Sequence, residues 1–149
     1  MSGPSSSDAS SGTLKDKTGM CSSVFKENIT EKRIADFCAA IGLPVSKEAP
    51  PTFMTVFRGG EFELLQKLGL QLSKALHADQ HYEYYGPICV GDSIQFETQV
   101  SQVLEKTSPK QNMQFLTLET RLQQIGPHEV KLIGKAVATL VFREVLEPK

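Results

Sequence analysis

Apolar positions recur at two different intervals along this chain, and the change of interval divides it. Up to about residue 68 they recur every three to four residues; from residue 76 onward they alternate. In the first part, Ile34, Phe37, Cys38 and Ile41 fall at i, i+3, i+4 and i+7, one apolar stripe of an α-helix. Thr30 is placed to cap its first turn, with Arg33 where a full capping box would carry Glu or Gln. Gly42 followed by Pro44 stops it.

A second helical stripe runs through Phe53, Val56, Phe57, Gly60, Leu64, Leu65 and Leu68. Pro50 and Pro51 hold the preceding backbone extended, and Pro51 suits a helix start. Gly59-Gly60 interrupts the stripe, each glycine costing about 1 kcal/mol relative to alanine in a helix interior. The pair therefore predicts either a kink or the close approach of another segment. Gly69 is placed to end the helix.

Beyond it the alternation predicts a strand over Leu76–Tyr85, a turn over Pro87–Asp92, and a strand in which Ile94, Phe96, Thr98 and Val100 share a face. A polar loop over Lys106–Asn112 leads into Met113–Gln123, apolar on both faces and so expected to be central or at an interface. A turn at Ile125–His128 precedes the last strand, Val130–Arg143. Two helices followed by four closely connected strands predict an α+β domain, an antiparallel sheet wrapped on one long helix.

Composition adds limits. The 149 residues suit one domain, and 40% hydrophobic with 22% charged residues is ordinary for a globular protein. A net charge of −1, with no basic stripe, argues against nucleic acid or an anionic membrane as partner. Residues 1–21, rich in Ser and Gly and without the apolar run of a secretory leader, are expected to be a disordered tail before a domain at 22–149. Cys21, Cys38 and Cys89 form no CxxC and predict reduced thiols, hence a cytoplasmic setting.

Ala49-Pro50-Pro51-Thr52-Phe53, then Leu76-His77 with Gln80 and Tyr82, then Tyr84, Pro87 and Val90-Gly91-Asp92 stand in an order that resembles the N-terminal half of FAS1-type and MaoC-like dehydratases. The resemblance covers roughly Ile29–Arg143 and implies a hot-dog fold, in which two such domains pair and an acyl thioester, on CoA or acyl carrier protein, lies between them. It implies no cofactor and no metal. Catalytic members carry an Asp and a His between the first helix and the long one, since hydrating a 2-enoyl thioester needs a base for water and an acid for the α-carbon. Here that interval, Gly42–Ala49, has neither, and Glu48 is its only acid.

The resemblance therefore implies no catalytic residue in this chain. It implies a degenerate subunit of an (R)-specific hydratase or dehydratase, in a hetero-oligomer with a catalytic hot-dog chain or in a homodimer. Thr52, Phe53, Phe57, Gly59 and Gly60 would line the acyl channel, with plain core packing the alternative for Phe53 and Phe57. Arg58 would meet a phosphate of the carrier or be a surface residue at a helix bend. His77, Asp79, His81 and Glu83 alternate along one strand and are expected to share a face, as a polar patch or as a metal or acid/base cluster. Two other readings stay open: a self-sufficient hydratase or thioesterase using Glu48, His77 or Asp79, and a non-enzymatic acyl-CoA binding module.

Overall fold

A computed structural model describes residues 14–145. Five strands form one antiparallel sheet in the order β1-β3-β4-β5-β2: β1 Phe25–Asn28, β2 Ala75–Tyr84, β3 Ser93–Thr107, β4 Gln111–Ile125 and β5 Val130–Val145. Helix α1 is Glu31–Ile41 and α2 is Gly59–Lys67. The sheet curls so that one face meets the helical segments. On that face Ile94, Phe96, Val100, Leu116, Leu118, Leu122, Ala138 and Leu140 are buried. Two hydroxyls, Thr98 and Thr120, satisfy each other there at 2.7 Å.

Helix α1 forms where its stripe predicts it. The Arg33 N–H donates to the Thr30 hydroxyl, and Gly42 closes the helix at φ 75°. β4, apolar on both faces, is the central strand of the five. β3 and β4 each run past the expected ends, so the polar loop shortens to a turn over residues 108–110.

The second helical stripe forms two segments instead of one helix. A 3-10 helix covers Pro51–Val56, the backbone leaves helical geometry at Phe57 (φ −90°, ψ 66°), and α2 begins at Gly59. The glycines are there for close approach. A Cβ on Gly60 would sit 2.3 Å from the Thr98 hydroxyl oxygen, and one on Gly59 would sit 2.9 Å from the Phe25 ring. The first turn of α2 thus rests directly on β1 and β3. Breaking the helix lets each piece bury its own apolar residues: Phe53, Met54 and Phe57 in one cluster, Leu64 and Leu65 in another.

Order begins earlier than the composition predicts. Residues 1–13 lie outside the described residues, but Leu14–Lys17 form a 3-10 turn. From there Gly19 N–H donates to Val100 O, Val100 N–H to Met20 O and Ser22 N–H to Thr98 O, at 2.8, 2.9 and 2.8 Å. Leu14 and Met20 pack on the second cluster. Two apolar anchors and a row of backbone bonds along β3 offset the ordering entropy that the Ser/Gly composition alone could not.

Candidate functional site

The break between the two helical segments faces β2 and leaves a cavity of about 250 Å³. Met54, Thr55, Phe57, Arg58 and Glu61 line it from the helical side, and His77, Gln80, Tyr82 and Ala136 from the sheet. Glu61, only 3% exposed, is held by Arg58, whose Nε and Nη2 both donate to Glu61 Oε1 at 3.0 Å. The guanidinium also lies 5.1 Å from the Phe62 ring centroid. Its charge is therefore already matched inside the protein.

A β-bulge decides what β2 contributes. Pairing with β5 runs Leu76 to Val141 and His77 to Leu140, then resumes at Asp79 with Thr139, so Ala78 is left over. The shift reverses the alternation. His77, Gln80 and Tyr82 lie opposite Leu140, Ala138 and Ala136, all buried against the helices, whereas Asp79, His81 and Glu83 lie opposite Thr139, Val137 and Lys135 on the other face. The expected shared face of His77 with Asp79, His81 and Glu83 is thus corrected: His77 stands apart, in the cavity. There it meets Gln80 at 3.0 Å (Nε2 to Oε1), and Gln80 Nε2 donates to Val137 O at 3.2 Å. On the outer face His81 and Glu83 approach at 3.3 Å. Among the described residues no three His, Cys, Asp or Glu are grouped to hold a metal.

The six residues singled out from the sequence have different surroundings. Phe57 and Arg58 line the cavity. Phe53 is fully buried, edge-on to Phe37 and Phe57 with centroids at 5.3 and 5.7 Å. Gly59 and Gly60 abut β1 and β3, and Thr52 is exposed, its carbonyl accepting from the Thr55 hydroxyl. Glu61 escaped the sequence reading because a Glu in a helical stripe reads as a solvated position. Gln80 and Tyr82 belong to the residues that carry the resemblance, but the bulge conceals that they share a cavity with His77.

A wider depression of about 470 Å³ is lined by Glu48, Ala49, Pro50, Pro51 and Tyr84 to Ile88. The Gly42–Ala49 interval is tied down at its far end: Ala49 N–H donates to Ile88 O at 2.7 Å and Val90 N–H to Lys47 O at 2.9 Å. Glu48 is exposed. Glu48, His77 and Asp79 therefore occupy three separate surroundings.

Burial and then the Glu61 charge push the Tyr82 phenol above its ordinary value. Burial does the same for Tyr84.

A five-stranded antiparallel sheet curled on a helical core is the hot-dog fold. A family profile described as "FAS1-like, dehydratase domain region" matches residues 16–131, and the chain belongs to that family. Solved structures that share its fold include a hydroxyacyl-ACP dehydratase complex and a MaoC-like dehydratase. The chain is similar to one in the C-terminally truncated HadBC (3R-hydroxyacyl-ACP dehydratase) complex of Mycobacterium tuberculosis, with TM-score 0.67 and 17% identity over 86% of this chain and 99% of that one. It is similar to one in the ChsH1-ChsH2 complex of the same organism, with TM-score 0.67 and 12% identity over 96% and 95%. A MaoC-like dehydratase from Rhodospirillum rubrum gives TM-score 0.62 and 13% identity over 91% and 98%. No curated protein sequence matches. Among the described residues no helix is long and apolar enough to cross a membrane.

Proposed function

We propose that this chain is the non-catalytic hot-dog subunit of an (R)-specific enoyl-thioester hydratase or 3-hydroxyacyl-thioester dehydratase, acting in the cytoplasm. It pairs with a hot-dog chain that carries the acid and base, and shapes the groove for an acyl group on CoA or acyl carrier protein. The observation that carries this reading is the Gly42–Ala49 interval: it contains no His or Asp, and its far end is bonded to the β2–β3 connection through Lys47 and Ala49. Two further features support it. β2 is an edge strand of ten residues with one side unpaired, suited to a partner's strand. Two of the similar structures, HadBC and ChsH1-ChsH2, are described as complexes.

In this reading Phe57 and Arg58 wall the acyl channel, while Thr52, Phe53, Gly59 and Gly60 shape it from the side and from behind. Arg58 acts as part of that wall, not as a phosphate anchor, because Glu61 already neutralises it. The test is hydration of an enoyl-CoA by the purified chain, alone and mixed with a hot-dog subunit holding an intact Asp and His. Turnover that depends on the mixture, with a heteromer on sizing, is expected. Robust turnover by the lone chain overturns the reading and makes His77 the first residue to replace.

A further inference from the structure

The lining of the 250 Å³ cavity is unusual for a channel that takes a plain hydrocarbon. Apolar walls come from Met54, Phe57 and Ala136, but Arg58, Glu61, His77, Gln80 and Tyr82 present polar atoms beside them. Most of these are spoken for: Arg58 by Glu61, His77 and Gln80 by each other, and Gln80 by the Val137 carbonyl. Two are not. Both Arg58 contacts fall on Glu61 Oε1, and among the described residues no hydrogen bond reaches Oε2 or involves the Tyr82 hydroxyl. The Glu61 carboxylate accepts only, and its second oxygen, without a protein partner and not fully enclosed, is open to a donor at the cavity that Glu61 lines. The Tyr82 phenol carries its proton at neutral pH and can donate it.

We infer that this cavity recognises a neutral chain bearing a group that both donates and accepts a hydrogen bond, a hydroxyl or a secondary amide, placed between Glu61 and Tyr82. An anion is disfavoured by the matched Arg58–Glu61 pair and by the carboxylate oxygen left facing it. The volume lies below the ~300–1,000 Å³ of pockets that hold a whole ligand, so the cavity takes one arm of a longer molecule. The inference rests on the reading above for the acyl-thioester class, and on the cavity alone for the polar group. Two arms of such a molecule fit the chemistry: a hydroxylated acyl chain and the amide-bearing pantetheine arm.

Three probes separate them on the full chain: pantetheine, hexanoyl-pantetheine and its 6-hydroxyhexanoyl analogue, titrated while the ring signals of His77 and His128 are followed by NMR. His77 lines the cavity and His128, in the turn between β4 and β5, does not, so only His77 is expected to shift. If the acyl chain supplies the group, the hydroxylated thioester binds roughly three- to tenfold tighter than the plain one, and Tyr82→Phe removes the difference. If pantetheine supplies it, all three probes bind alike and Tyr82→Phe weakens all three by a similar factor. Binding that Tyr82→Phe leaves unchanged, or no shift at His77 with any probe, overturns the inference. A chain that binds as expected yet adds nothing to a partner's turnover keeps this site and removes the subunit role; the converse result does the reverse.

Discussion

Replacing Arg58 with methionine isolates the worth of the ion pair at the helix break. Glu61 would then keep a charge in a site only 3% exposed, with the two donated bonds of 3.0 Å gone. Removing one partner of a buried pair costs about 3–5 kcal/mol. Here the Arg58 side chain is 32% exposed against 5% for Glu61, so water reaches one side and the cost falls to about 2–3 kcal/mol. The double variant Arg58→Met/Glu61→Leu removes both charges and keeps the volume, and is expected to return to within about 1 kcal/mol of the parent. Urea unfolding resolves this, since at a slope of about 1–3 kcal/mol per molar the single variant lowers its midpoint by about 0.7–3 M. A double variant no more stable than the single one would refute the argument, for the loss would then come from packing rather than from an orphaned charge.

Gly60→Ala places a methyl group 2.3 Å from the Thr98 hydroxyl and 2.9 Å from that of Ser22, and is expected to cost about 1–3 kcal/mol, read as a lowered melting temperature; an unchanged one refutes the close approach. The raised phenols of Tyr82, Tyr84 and Tyr85 set a limit at high pH: the unfolded chain releases these protons near pH ~10 while the folded chain retains them, so stability falls as pH rises past that value. Tyr82→Phe is expected to make that fall shallower, measured by unfolding between pH 9 and 11. Iodoacetamide at pH 8 is expected to modify exposed Cys21 first, then Cys89, whose thiol is pushed up by burial, and last the buried Cys38; mass spectrometry of timed digests gives the order.

The helical stripes and the alternation reveal the sheet and α1 because each rests on several residues that agree. The features that build the cavity rest on single residues. Phe53, Val56 and Phe57 fit a 3-10 helix as well as an α-helix, so periodicity cannot reveal the break at Phe57. The bulge uses up one position, Ala78, and by parity sends every later side chain of β2 to the opposite face from the one counted. β1 is four residues long with one apolar side chain, Phe25, too little for a pattern. The ion pair of Arg58 and Glu61 is legible as an i, i+3 spacing, but its burial is a property of the packed sheet.

The unpaired side of β2 also bears on how the chain survives in a cell. Along its ten residues the backbone offers donors and acceptors that any other extended segment can take, including the same strand of a second copy. Asp79 and Glu83 spread charge beside that edge and discourage indiscriminate stacking, while Leu76 and Tyr84, 50% and 39% exposed, invite it. A chain made in excess of whatever covers this edge is a candidate for inclusion bodies and for proteolysis. Its yield in an expression host should therefore rise when a pairing chain is produced beside it, at unchanged transcript level.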